Sequence, residues 1–484
     1  MNAPILKTGV ARLGIDNAFA RMPFRFGVVT IEAAASLTLA LDMTVNGTPV
    51  TGYSSDLLAY KWFDKRPEKT PADNVADLLW VVEQALEVAQ GLDAGPLFDL
   101  WRQLDAEVDR RAVEGGFNRL GAGFGVSMVE RAMIDGLGRA LGQGFHQMVQ
   151  GDAFGMRPGD VFGELQGLSS GDAVLAAPLK QVHLRHTVGL VDPIGAGDLA
   201  GLDLPDDGLP HTLEDYLHRD GVRYLKIKVS GERDADLDRL GKIAHSLARL
   251  GEPVQITLDG NEQYRDLADF AALIGDLRQS PALRPLYDSI LFIEQPLERG
   301  VALAGPLDPA ALELIGKPML IDESDGWTGA FHEAIALGYR GVSHKNCKGV
   351  IHSLLNALLV RRHEGCFQSA EDLTCLPVVS LQADLAVVAA LGISHVERNG
   401  HHYFRGLDHL PGDEAEAALA AHPDLYERSG GGIRLANGGG VLNLGSLQVP
   451  GMGFVPLPDL SRRIAPADWA FDMLRAPSKT GEPK

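Results

Sequence analysis

Hydrophobic positions along this chain fall into successive rhythms. Residues 22–66 are rich in β-formers, and "FGVVTIEAAASLTLALDMTV" runs into Asn46-Gly47, a pair that favours a tight hairpin turn. The stretch "YSSDLLAYKWFDK" reads as an irregular, aromatic-bearing loop. From about residue 72 to 148 apolar residues recur at helical spacing. The helical segments are "ADNVADLLWVVEQALEVAQG", "PLFDLWRQLDAEVDRRAVEGG" and "VSMVERAMIDGLGRALGQG", each stopped by glycine.

Residues 150–175 are rich in Gly, Asp and Pro, have no period, and mark a boundary. Beyond them come short apolar runs: "QVHLRHTVGL", "RYLKIKV", "PVQITLD", "SILFIE", "KPMLID", "GVSHK", "GCFQS" and "ISHVE". Amphipathic intervals such as "ADLDRLGKIAHSLARLG" separate most of them. Eight strands alternating with helices predict an α/β fold, a closed parallel (β/α)8 barrel. An open doubly wound sheet would carry a glycine-rich phosphate turn after its first strand, which "HTVGLVDPIGAGD" matches poorly. The tail, with "SGGGIRLANGGGVLNLGSLQVPGMGF", reads as turns and short extended pieces packed back against the front of the chain. The expected domains are an α+β capping domain at 1–150, the barrel at 151–411, and a C-terminal segment at 412–484 that returns to the cap.

Composition narrows the partners. A formal charge of −20, from 64 acids against 44 bases, argues against nucleic acid, which needs a basic face. It leaves room for a small anion at a locally positive site. Cys347, Cys366 and Cys375 have neither zinc-ligand spacing nor a disulfide framework. No uninterrupted apolar stretch reaches the roughly 20 residues of a membrane span. No charged leader followed by an apolar core opens the chain, so a cytoplasmic protein without a membrane partner is expected.

The candidate chemistry lies at the strand ends. In "VRYLKIKVSG" side chains alternate faces, so Lys226 and Lys228 point the same way. The next strands end in Asp259, in Glu294, in Asp322 with Glu323 beside it, and in Lys345. In a barrel those ends converge on the active-site face. An acid at a strand end alone is ordinarily a turn or capping residue, but five consecutive strands with an ionisable end share a cause. Three carboxylates from adjacent strands suit Mg2+, with Mn2+ as a possible substitute. The lysines flank the acids in sequence and so face each other across the site. A lysine beside a cation and another lysine is expected to have a lowered pKa, useful to a general base. The reaction class is then removal of the α-proton of a carboxylate substrate, giving a metal-stabilised enediolate. Either Lys228 or Lys345 can take the proton. Lys228 is the expected base, with Lys226 holding its pKa down or touching the substrate carboxylate.

The Lys226-x-Lys228 pair, "LDGN" at 258–261, "IEQP" at 293–296, "IDES" at 321–324 and "HKNCKG" at 344–349 resemble the enolase superfamily, muconate-lactonising-enzyme type. The resemblance implies a (β/α)8-type barrel with a cap built from the N-terminal segment and the C-terminal tail. It implies Asp259, Glu294 and Asp322 as metal ligands, with Glu323 behind them and Asn261 and Gln295 as supporting neighbours. Lys228 and Lys345 would be the acid/base groups, and homo-oligomers are common for such barrels. Cap loops would choose the substrate, with "FARMPFRFG" (19–27) and "SSDLLAYKWFDK" (54–65) as candidates. The chain departs from the pattern at Lys348-Gly349-Val350, where relatives often carry paired glycines. Glu397 matches substrate-contacting positions in some members, though as a lone acid it is more often a salt-bridge partner. Asp372 and His186 are further mouth residues with ordinary structural readings.

The resemblance leaves the product open, because one half-reaction serves many chemistries. Lysines on both faces favour a racemase, epimerase or cycloisomerase. A dehydratase of acid sugars or another carboxylate lyase is the alternative, and a catalytically silent binding barrel is the alternative outside enzymes. A Schiff-base aldolase would leave the carboxylate trio unexplained.

Overall fold

The computed structural model describes residues 3–26 and 29–475. The front of the chain forms an antiparallel sheet of β1 (Leu6–Phe26), β2 (Val29–Val45) and β3 (Thr48–Leu57), in that order. Asn46 and Gly47 close the β2–β3 hairpin with φ of 49° and 81°, the left-handed turn that their sequence favours. The sheet begins earlier than the pattern suggested, because β1 pairs with β2 from Leu6 onward. A register shift between Thr8 and Ala11 breaks the alternation that would have announced it. The segment 19–26, expected as a loop, is instead the end of β1, and Gly27 lies outside the described residues. Likewise residues 54–57 belong to β3, so only 58–65 of the second candidate loop are irregular.

Three helices follow, α1 (Pro71–Gly91), α2 (Leu97–Glu114) and α3 (Arg119–Leu141); α1 and α3 pack on the sheet and α2 packs on both of them. Thr70 caps α1 through a reciprocal bond pair with Asp73. The start of α3 lies earlier than its apolar run predicted, because Asn118 Oδ1 accepts the Gly121 N–H at 2.9 Å and fixes the N-terminus there. α3 crosses β3 at Gly52, where a Cβ would stand 1.9 Å from the Ala132 carbonyl oxygen. Only glycine permits that approach.

The barrel strands are β4 (Gln181–Val188), β5 (Tyr224–Lys228), β6 (Gln255–Asp259), β7 (Ile290–Glu294), β8 (Met319–Ile321), β9 (Gly341–His344), β10 (Phe367–Ala370) and β11 (His395–Arg398). All are parallel in sequential order, and β11 pairs with β4 to close the ring. Each of the eight coincides with one of the apolar runs. Register aligns Lys228 with Asp259 and Asp259 with Glu294, so their side chains share one level of the interior.

The tail differs from its reading in two respects, the first being that it opens with a helix over Gly412–Ala421. A hairpin of β12 (Tyr426–Ser429) and β13 (Gly432–Leu435) follows. Then β14 (Val441–Asn443) adds antiparallel to β4, on the barrel and not the cap. Farther on, Gly451 bridges Gly144 and Ile464 bridges Ile15, which ties the tail to the front of the chain. Among the described residues no helix is long and apolar enough to cross a membrane, and the three cysteines are unpaired.

Candidate active site

The C-terminal ends of the barrel strands and the inner edge of the cap enclose one cavity. Lys226, Lys228, Asp259, Asn261, Glu294, Asp322, Lys345 and Glu397 all line it, so the structure gathers these residues in one place. Glu323 does not line it. Its carboxylate turns the other way and accepts Lys65 Nζ of the cap loop at 3.2 Å.

Two-residue alternation along β5 aims both lysines inward, but they meet different partners. The Lys226 ammonium donates to Glu294 Oε1 at 2.8 Å, Glu371 Oε2 at 3.0 Å and Glu397 Oε2 at 2.9 Å, and lies 3.1 Å from Asp259 Oδ2. Burial alone would push its pKa down, yet the four surrounding carboxylates outweigh that and hold it well above the usual lysine range. Lys228 donates to Asp259 Oδ2 at 2.9 Å and to Asn261 Oδ1 at 2.6 Å. Asn261 is held in turn, its N–H donating to Asp259 Oδ1 at 2.8 Å.

Across the barrel Lys345 donates to Asp322 Oδ2 at 2.7 Å, with its ammonium 4.3 Å from the Trp62 ring centre. Burial would lower its pKa, but Asp322 raises it. For Lys226 and Lys345 the carboxylates in contact outweigh burial, whereas the expected lowering referred to a lysine beside a bound cation. Asp322 also accepts Ser343 Oγ at 2.5 Å, and its peptide N–H donates to Gln295 Oε1 at 2.9 Å. Burial would raise its pKa, but Lys345, Lys348 and Lys226 hold it well below the usual carboxylate range. Glu294 is pushed the opposite way, by burial and then by Asp259 and Glu371.

Asp372 lines the cavity but is engaged, accepting Cys375 N at 2.8 Å, Asn399 N at 2.7 Å and Arg398 Nη1 at 3.1 Å. His186 lies outside the site, packed among Tyr216, His401 and His402. Its neighbours Arg185 and Thr187 are the ones that face the barrel's polar interior, as alternation along β4 requires.

Several participants escaped the sequence reading. Glu371 takes both Lys226 and Arg185, and stands two residues beyond Ser369, which donates to it at 2.6 Å. Strand parity from Ser369 would have found it. Lys348 lies 3.5 Å from Asp322 Oδ1 and 3.0 Å from Asp325 Oδ2, placed by a turn that carries no periodic signal. Trp62 and Lys65 belong to the 54–65 segment already named as a candidate cap loop, but which of its residues meet the barrel depends on how the cap docks.

The carboxylate trio fits Mg2+ in donor chemistry: only oxygen ligands, on three consecutive strand ends, around one cavity. Both Glu294 oxygens face the Lys226 ammonium, Oε1 at 2.8 Å and Oε2 at 2.7 Å, so a positive charge already stands beside this acid. The placement is looser. Among the described residues no three carboxylate, histidine or cysteine side chains are gathered tightly enough to hold a metal, because each acid is drawn onto a lysine.

No protein-family model matches the chain, and no curated protein matches it. Solved structures do. A muconate lactonizing enzyme from Pseudomonas fluorescens, complexed with muconolactone, is 14% identical with a TM-score of 0.57, covering 93% of this chain and 96% of its own. A dipeptide epimerase from Enterococcus faecalis, complexed with Mg and L-Leu-L-Tyr, is 15% identical with a TM-score of 0.58, covering 93% and 100%. An enolase from Bradyrhizobium, complexed with magnesium and mandelic acid, is 16% identical with a TM-score of 0.57, covering 94% and 96%. Over nearly its whole length the chain therefore shares the fold of enolase-superfamily proteins of the mandelate racemase and muconate lactonizing type, a (β/α)8 barrel with a capping domain.

Proposed function

We propose that this protein is an Mg2+-dependent isomerase that moves the α-proton of a small carboxylate substrate, as a racemase, epimerase or cycloisomerase. One observation carries the reading. Lys228 on β5 and Lys345 after β9 stand four strands apart in an eight-stranded ring, on opposite walls of one cavity, with Asp259, Glu294 and Asp322 between them.

Asp259, Glu294 and Asp322 would hold the ion, which when bound takes up charge that builds on the substrate carboxylate as the α-proton leaves. The remaining work belongs to the chain's own side chains. In one direction the neutral Lys228 Nζ accepts the proton and the Lys345 ammonium returns one to the opposite face of the α-carbon; in the other direction the roles exchange. Asn261 and Asp259 fix Lys228 in place, and Asp322 with the Trp62 face fixes Lys345. Lys226 ties together the buried carboxyl groups of Asp259, Glu294, Glu371 and Glu397. The substrate chemistry in the comparison structures (a muconolactone, a dipeptide, mandelic acid) supports a carboxylate without selecting among products.

The test is exchange of the α-hydrogen with deuterium across a carboxylate library, with and without Mg2+. Native protein should exchange only with the ion. Lys228→Ala and Lys345→Ala should each lower interconversion by about 10²–10⁴-fold. Exchange that survives in both variants would refute the assignment.

A further inference from the structure

The cavity's two halves differ in kind. Its floor is the ionised barrel end. Its roof, supplied by the cap, consists of Phe24, Ile31, Leu57, Ala59 and Trp62, with no charged or amide side chain from the cap among the described residues that line it. Residues 26–28, whose side chains lie outside the described set, are Phe, Gly and Val and add no such group. The cap's nearby cations are turned away. Lys65 is held by Glu262 and Glu323, and Arg21 by Asp207, with its Nη1 donating to the His402 carbonyl at 3.0 Å.

The floor offers little spare capacity either. Glu397 accepts Thr187 Oγ1 at 2.7 Å, Lys226 Nζ at 2.9 Å and Asp372 N at 3.0 Å. Asp372 is spent on two backbone N–H groups and the Arg398 guanidinium. An ammonium on the substrate would find no carboxylate free to receive it, and a second carboxylate would find no cation overhead. The space is also small. At most about 450 Å³ inside the cavity is free of atoms, near the lower end of ligand pockets.

Resting on the α-proton chemistry above, we infer that the substrate is a compact monocarboxylate whose α-carbon carries an uncharged apolar group, aryl or branched alkyl, seated under Phe24, Ile31, Leu57 and Trp62. Trp62 lies directly over Lys345, so the apolar roof reaches the proton-transfer face. The remaining polar lining, Thr374 and the unpartnered Asn399 Oδ1, comes from the barrel loops, so a charged or hydroxyl-rich substituent seated against the cap side chains themselves would lose its water without gaining a partner from them.

The experiment compares 2-phenylpropanoate with 2-phenylsuccinate, phenylalanine and gluconate. Binding to the Mg2+-treated protein is measured by calorimetry, and α-deuterium exchange by NMR. The expected result is 2-phenylpropanoate binding at least ten-fold more tightly than the other three. Ile31→Arg, which puts a cation in the roof, should shift the preference toward 2-phenylsuccinate by at least ten-fold while the protein stays folded by circular dichroism. Equal or tighter binding of the dicarboxylate, amine or sugar acid to native protein, together with exchange, overturns the inference and leaves the proton-transfer reading standing. Absence of binding and exchange with every carboxylate overturns both.

Discussion

Glu130, on the cap helix α3, accepts the backbone N–H of Ile351 at 3.0 Å. The bond joins the cap to the first turn of the barrel helix Val350–Arg362, just beyond Lys345 and Lys348. The same oxygen takes the Val350 N–H, while the other carboxylate oxygen is buried without a partner.

That contact sets a pH dependence. Burial pushes the Glu130 carboxyl up to about 7, against the pull of the N–H groups that it accepts. The folded protein therefore keeps a proton that the unfolded chain releases at its ordinary value of 4.5. The group's contribution is full below that value and is lost as pH rises toward about 7. Glu130→Gln keeps the acceptor and removes the titration. By urea denaturation it should be more stable than native at pH 8, by on the order of 2–3 kcal/mol, and equal to it near pH 4. No difference at pH 8 would refute this account.

The histidine group outside the barrel works in the opposite sense. His401 is held down to about 3 by burial and by Arg21 and Arg398 nearby, and burial also keeps His186 and His402 well below the usual range. Folded pKa values below the unfolded one mean stability that is full above about 6.5 and lost as pH falls toward 3. Each such histidine contributes a slope of up to about 1.4 kcal/mol per pH unit. His401→Asn should remove roughly one proton's worth of slope from the acid limb. An unchanged slope would show that these histidines charge without cost.

Among the described residues Glu294 and Glu397 have Lys226 as their only ion-pair partner, whereas Asp259 also meets Lys228 and Glu371 meets Arg185. Lys226→Met should lower stability by about 3–5 kcal/mol, because it leaves buried carboxylates uncompensated. Adding Glu397→Gln should restore part of that loss, with a coupling of about 0.5–3 kcal/mol. Strictly additive losses would mean that the pair does not interact as placed.

Metal binding is checked by melting chelator-treated protein with and without Mg2+. At about a hundred times Kd the ion should stabilise the native protein by roughly 2.7 kcal/mol. Asp259→Asn, Glu294→Gln and Asp322→Asn should each abolish most of that gain. A native melting curve indifferent to Mg2+ would remove the ion from the mechanism.

The barrel was legible because its strands are short, buried runs separated by amphipathic helices, and each acid or amine at a strand end survives as a sharp break in an apolar run. Long-range docking left no such mark. Trp62 reaches the site, and Lys65 reaches Glu323 behind it, only because the cap folds over the barrel, and Lys348 depends on a turn. β1 was hidden by Gly9, Gly14 and a register shift, which together interrupt the two-residue beat that marks a strand. Lys226 was placed correctly on its face, but its partners Glu371 and Glu397 lie on strands read separately.

The position of β14 against β4 bears on how the molecule is made. Until residues 441–443 leave the ribosome, the lower part of β4 presents unpaired backbone along Gln181–His183. The ring itself joins residues 183–186 to 395–398, so it cannot close until residues 395–398 have been made. Newly made chains truncated ahead of β14 should therefore be the species that chaperones hold and that aggregates recruit.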